Sequence, residues 1–134
     1  MGKRKVVLDT NILISALGWN GAPHEILRRV VEGEIELFIS YEQFEELSRV
    51  LDYPRFNFTY EQKARFKALI SEIATMVKAS VKVTAIKDDP SDNMILECAL
   101  VANADYVVSG DKHILTLRRF GRIRMVKPKE FLDR

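Results

Sequence analysis

The chain has 134 residues, 47% of them hydrophobic and 30% charged, with a formal net charge of only +2. That size and balance fit one folded domain with a real core, spanning residues 1–134, and exclude a polycation. No apolar run approaches the roughly 20 residues that cross a bilayer. The opening Gly2-Lys3-Arg4-Lys5 runs straight into a strand and lacks the apolar stretch of a signal peptide, and Val6 breaks the myristoylation pattern. The expected location is therefore cytoplasmic, with no membrane partner. The single cysteine, Cys98, lies in an apolar helical stretch and reads as a small buried residue.

Lys5 to Leu8 is a short, nearly continuous apolar run, the pattern of a strand buried on both faces. A helical stretch from Ile12 to Leu17 is broken by Gly18-Trp19-Asn20-Gly21. Pro23 sits near the start of a second helix, whose positions Ile26, Leu27, Val30 and Val31 have helical spacing, and Gly33 stops it. Ile35 to Ile39 is a second strand. Ser40 with Gln43 three residues on forms a capping box that launches a helix to Leu51, and Pro54 follows. The spacing of Phe66, Leu69, Ile70, Ile73 and Val77 predicts a long helix over 59–79. Val81 to Ile86 is expected as a third strand. Asp89 can cap a helix that has Pro90 at its first position and runs to about Asn103. Tyr106 to Ser109 and Ile123 to Val126 complete five strands, with helical turns at Ile114–Leu117 and Lys129–Leu132. Alternating strands and helices predict a three-layer α/β/α sandwich around a mainly parallel five-stranded sheet.

In such folds ligands bind outside the carboxyl ends of the strands, where Asp9, Ser40, Asp88, Asp89, Ser109 and Asp111 all fall. Asp9 ends the first strand, and Thr10 and Asn11 are natural donors to a carboxylate there. Asp92 shares a helix face with Ile95, Leu96 and Ala99, so it points toward the sheet edge while Glu97 points away. Asn93 is its polar neighbour. Glu45 and Glu46 both flank an apolar stripe, and periodicity does not choose between them; Glu42 and Arg49 face outward. Asp111 follows Ser109-Gly110, where glycine lets the chain turn sharply off the strand. Converging acids repel by about 4 kcal/mol per pair at about 4 Å and an effective dielectric of 20. They are tolerable if they take up protons or bind a cation, and hard oxygen ligands suggest Mg²⁺ or Mn²⁺.

The positive charge is uneven: Lys112, Arg118, Arg119, Arg122, Arg124, Lys127, Lys129 and Arg134 follow Asp111, against only Glu130 and Asp133. This is either a solvated surface or a phosphate-attracting rim around the acids. Trp19 lies in a glycine-flanked loop where it could stack on a base. Other chemistries fit worse. No nucleophile elbow, phosphate-binding loop, Gly-x-Gly-x-x-Gly or Cys-x-x-Cys occurs. His24 and His113 stand alone and read as structural or surface residues.

Four stretches together resemble the PIN-domain nucleases, and most of all the small VapC-type toxins of bacterial and archaeal toxin–antitoxin pairs. They are Leu8-Asp9-Thr10-Asn11, Ser40 with Glu46-Leu47, Asp89-Pro90-Ser91-Asp92-Asn93, and Ala104-Asp105 through Ser109-Gly110-Asp111. The second singles out Glu46 over Glu45. The resemblance implies metal-dependent cleavage of RNA. Asp9, Asp92 and Asp111 would be direct or water-mediated metal ligands, and Glu46 would hold a second ion or orient the attacking water. Thr10, Asn11, Asn93 and Ser109 would support them, and Trp19, Arg118, Arg119 and Arg122 would bind RNA. Expected partners are single-stranded or structured RNA, an antitoxin protein and a second copy of the chain, with the helices at Ile26–Val31 and Phe66–Val77 as dimer candidates. Two rival readings use the same residues: a metal-dependent phosphohydrolase of small substrates, and an RNA- or antitoxin-binding module with little turnover.

Overall fold

The computed structural model describes residues 2–86 and 89–134. Its strands, among the described residues, are β1 (Arg4–Leu8), β2 (Ile35–Ser40), β3 (Ala74–Val77), β4 (Tyr106–Val108), β5 (Arg119–Phe120) and β6 (Ile123–Val126). The helices are α1 (Thr10–Gly18), α2 (Ala22–Val31), α3 (Tyr41–Leu51), α4 (Tyr60–Ile73), α5 (Pro90–Ala102), α6 (Lys112–Leu115) and α7 (Pro128–Leu132), with a 3-10 turn at Pro54–Phe56. They build one sheet of order β3-β2-β1-β4-β6-β5, parallel except for the β5–β6 pair.

The interior position of β1 explains why its residues are apolar without alternation. Val6 and Leu8 enter one core layer with α1, α2, α3, Ile70 of α4 and Phe131 of α7. Val7, one residue out of phase, enters the opposite layer with Ile95, Leu96 and Ala99 of α5 and Ile114 of α6. This is the expected three-layer sandwich. Cys98 is fully buried, and burial pushes its thiol up to about 12. Ile26, Leu27 and Val30 also go into the core, so of that stripe only Val31 faces outward. No described helix is long and apolar enough to cross a membrane.

Two elements differ from the sequence expectation. The sheet has six strands because a two-residue β5 pairs with β6 across Gly121-Arg122, with Gly121 at φ +61°. More substantially, the third strand is Ala74–Val77, not Val81–Ile86, and α4 stops at Ile73. Val77 continues the helical spacing of α4, but the same β-branched run fits the open edge of β2, where Leu37 pairs with Ala74 and Ser40 with Val77. Tertiary pairing overrides local period here. Residues 78–86 instead run back along α5. The Val83 N–H donates to Glu97 at 2.9 Å, and Ile86 exchanges two hydrogen bonds with Asn93. Asp88, expected at the same edge as the other acids, lies outside the described residues.

Gly18 ends α1 against the ring of Phe58, which packs edge-on to Phe66. A Cβ there would lie 2.9 Å from the ring. Gly18→Val should therefore destabilise the fold by about 1–3 kcal/mol through overpacking. A lower urea midpoint at unchanged m-value checks it; an unchanged midpoint would mean that the ring yields freely.

Candidate active site

The chain leaves β1 through α1 and α2 on one face of the sheet, and enters β4 from α5 on the other. The carboxyl ends of the neighbouring strands β1 and β4 therefore flank a topological switch point, where crossovers diverge and leave a crevice. Asp9 and Asp111 stand there. The Asp9 N–H continues the ladder to Val108 C=O at 3.1 Å. Its side chain caps α1, with Oδ1 accepting from the Ile12 N–H at 2.8 Å, and Oδ2 accepts the Ser109 hydroxyl. Ser109 Oγ in turn accepts the Asp111 N–H at 2.9 Å, so one hydroxyl ties the two acids together. The preceding carbonyl, of Leu8, takes the buried Gln43 amide at 2.6 Å.

The other two acids arrive from opposite layers. Ser40 caps α3 through the Gln43 N–H at 3.0 Å, which sets the helix phase. That phase brings Glu46 to the crevice and leaves Glu45 exposed. Glu46 Oε1 accepts the Thr10 hydroxyl, and Oε2 accepts that of Ser91 at 2.9 Å. From the far side, Asp89 caps α5 by accepting the Asp92 N–H at 3.2 Å, and Asp92 is only 9% exposed. Asp9, Glu46, Asp92 and Asp111 thus line one cavity of about 380 Å³ together with Asp89, Thr10, Asn11 and Ser91.

Burial dominates the electrostatics. It raises Asp9 above the ordinary carboxylate range, against the Ser109 and Ile12 hydrogen bonds, and the charges of Asp111 and Glu46 push the same way. Asp92 is pushed up to about 7, first by burial, then by its contact with Asp89 and the charge of Asp111. Its Oδ2 is buried and has no hydrogen-bond partner among the described residues.

Several expected site residues sit elsewhere. Asn93 spends its amide on the Ile86 backbone, donating at 2.7 Å and accepting at 2.9 Å, and so holds the segment before α5 rather than a carboxylate. Trp19 packs against Phe56 and Phe58, beside His24 and away from the acids. Arg118 and Arg119 line a separate depression with Arg124 and Arg134. Arg122 pairs with Asp105, whose other oxygen accepts the Lys5 N–H, at the amino ends of β1 and β4. The basic rim expected around the acids is thus displaced to another edge, because β5 and β6 carry the arginines there. Among the described residues, the cations that line the acidic cavity are Arg49 and Arg55, with Tyr53. Arg49 is exposed, as expected, and lines the open side of the cavity, three residues beyond Glu46 on α3, a spacing that shares a face. His113 is not isolated: Asp89, Asp92 and His113 offer ligand atoms within 4.8 Å of one another.

A PIN-domain family model matches residues 5–113, a stretch that contains all four acids. The chain belongs to the PIN-domain family. An uncharacterized protein of Methanocaldococcus jannaschii, MJ1680, is 26% identical over 143 aligned positions, covering 98% of this chain and 91% of the relative. Among solved structures, the chain is similar to VapBC2 from Rickettsia felis, crystallised with a DNA fragment from its promoter. The TM-score is 0.63 at 17% identity, covering 90% of this chain and 96% of that one. That likeness bears on the fold, which is PIN-like.

The donor set of this PIN domain fits a hard divalent cation. Its groups are mostly carboxylates, with His113 beside Asp89 and Asp92, their mutual repulsion and burial favour a positive guest, and Asp92 Oδ2 has no partner among the described residues to give up. Because the folded carboxyl of Asp92 titrates above its ordinary 3.8, near 7, the folded state holds the extra proton between those values. Stability should then fall as pH rises through that window in chelator, with the penalty complete above about 7. Asp92→Asn should flatten that fall and raise the melting temperature at pH above 7. Parallel melting curves of the two proteins across this range would show another origin for it.

Proposed function

We propose that the protein is a Mg²⁺- or Mn²⁺-dependent endoribonuclease that hydrolyses phosphodiester bonds. The observation that carries the reading is the buried Asp92 Oδ2, without a partner among the described residues, amid carboxylates converging at the switch point. An anionic phosphodiester cannot enter such a cavity unless a cation lies between. Bound there, a divalent ion polarises the phosphoryl oxygen, acidifies the attacking water and stabilises the leaving oxygen.

Asp9, Asp92 and Asp111 are the residues that hold the ion. Ser109 fixes Asp9 through its hydroxyl and Asp111 through its backbone, so both acids move as a unit. Glu46 has each oxygen engaged by a hydroxyl, from Thr10 and Ser91. That arrangement supports a role in orienting the attacking water. RNA as substrate is carried by the resemblance to PIN-domain toxins. So are an antitoxin partner, a homodimeric assembly and a cytoplasmic setting, and the likeness to VapBC2 is consistent with the toxin role.

Asp9→Asn and Asp92→Asn should each lower cleavage of a labelled oligoribonucleotide by about 100-fold or more, beyond the effect of losing a mere supporting contact. Circular dichroism should show both variants folded. Full activity in either would remove that residue from the mechanism, and turnover of a phosphomonoester instead would favour a small-substrate phosphohydrolase. Mn²⁺ should raise the melting temperature of the wild type by mass action, by about 2.7 kcal/mol of added stability at one hundred times its dissociation constant. The increment should shrink in Asp111→Asn; equal increments would exclude Asp111 as a ligand.

A further inference from the structure

The acidic cavity has a second wall of opposite character. Arg49 and Val50 lie three and four residues beyond Glu46, on the same face of α3, and Tyr53, just past the helix end, lines the same cavity. Arg55 follows in the 3-10 turn, with its guanidinium over Phe56 at 4.9 Å and Tyr53 at 5.5 Å. This turn is well tied. The Tyr53 N–H donates to Val50 at 3.0 Å, the Phe56 N–H to Tyr53 at 3.1 Å, and Phe56 packs onto the core. Tyr53 itself is 45% exposed.

Arg49 and Arg55 line the same cavity as five carboxylates, yet neither forms an ion pair among the described residues. Arginines that neutralised the acids would sit within salt-bridge distance of them. These stand across the cavity, with their donors available to a guest. A guest that meets both walls must offer anionic oxygens to the guanidiniums while another of its phosphates approaches the acids through a cation. A single nucleic-acid strand does so, because consecutive phosphates repeat along it and an exposed base can stack on an aromatic side chain.

We propose that Arg49 and Arg55 are the positioning residues of a strand-holding subsite that grips the phosphate next to the scissile one, and that Tyr53 stacks on the adjoining unpaired base. The identity of the strand as RNA rests on the nuclease reading above; the grip itself rests on the cavity wall. The subsite sets which bond along the strand reaches the carboxylates and selects single strands, since a duplex does not offer a base face to Tyr53.

The test measures fluorescence anisotropy of a labelled single-stranded oligoribonucleotide of mixed sequence bound to the full chain. Chelator prevents turnover, and salt is varied. The slope of log affinity against log salt should fall by about 0.7 in Arg49→Gln or Arg55→Gln and by about 1.4 in the double variant, the value for one and two lost single-strand phosphate contacts. Tyr53→Leu should weaken binding and leave the slope intact. The pair Arg118→Gln with Arg119→Gln should leave both unchanged. In the presence of Mn²⁺, the Arg49/Arg55 double variant should shift the position of cleavage and raise KM more than it lowers kcat. A wild-type slope in that double variant overturns the proposal, and so does an equal loss in the Arg118/Arg119 pair. Loss of the Mn²⁺-induced melting shift in the Arg49/Arg55 variants also overturns it, because it would place these arginines within the carboxylate site. If the wild type binds through these arginines but never cleaves, the subsite stands and the nuclease reading falls.

Discussion

Holding several carboxylates out of water at one point is the constraint around which this structure is arranged. Charges so placed lose hydration and repel one another, and burial is the largest influence on both Asp9 and Asp92. The fold meets this unevenly. Asp9 has a partner on each oxygen, the Ile12 N–H and the Ser109 hydroxyl. Glu46 is held by two hydroxyls. Asp92 Oδ2 has none among the described residues. The acids are delivered at the carboxyl ends of two central parallel strands and by the capped helices α3 and α5. Relaxation by moving apart would mean breaking caps and ladders, each worth about 1 kcal/mol or more. The frame thus keeps the repulsion in place, and the divalent cation we propose would relieve it.

The net charge of +2 conceals a polar molecule. The acids collect at the carboxyl ends of the strands. Lys3, Arg4, Arg119, Arg122 and Arg124 gather around the amino ends of β1 and β4, where Asp105 offsets part of the charge. In the β5–β6 hairpin Arg119 lies directly opposite Arg124, a like-charged pair that destabilises slightly unless the side chains splay into solvent. Such a distribution does not help at the cavity, because screening removes interactions beyond a Debye length of about 8 Å at physiological salt. Among the described residues, the cations on the cavity wall itself are Arg49 and Arg55.

Much of this was legible in the residues, for identifiable reasons. β1, β2, β4 and β6 are short apolar runs ended by polar residues, and the caps of α3 and α5 are spelled by Ser40 with Gln43 and by Asp89 with Pro90. The acids could be placed because each is tied to a cap or a strand end, which fixes its phase; Asp9, Glu46, Asp92 and Asp111 indeed line one cavity. Failures arose where one pattern serves two structures. Ala74–Val77 carries apolar positions that suit either the end of α4 or a strand, and only the open edge of β2 decides. The two residues of β5 have no period at all. Arg118, Arg119 and Arg122 follow the last acid closely in sequence, but α6 and the β-hairpin carry them to other surfaces. Nearness in sequence was a poor guide to nearness in space, whereas helical spacing from Glu46 would have found Arg49.

Residues 78–86, after β3, show how a stretch without regular structure can still govern the site. Asn93 clamps the Ile86 backbone in both directions, and Glu97 holds the Val83 N–H. Val83 and Ile86 lie on the α5 layer of the core. These contacts fix where the chain re-enters α5, and therefore where Asp89 caps it and where Asp92 emerges one turn later. Replacing Asn93 by Leu would leave two buried backbone groups unpaired, at about 1–3 kcal/mol each. Yet Asn93 never touches the cavity that it orders. A polar residue next to a candidate ligand can thus look like part of the binding set and act instead on the backbone that aims its neighbour. Asn93 and Asp92 are adjacent in sequence but serve the site from different sides of one helical turn, the first by pairing with the backbone before the helix and the second by presenting an oxygen, Oδ2, that no described residue satisfies.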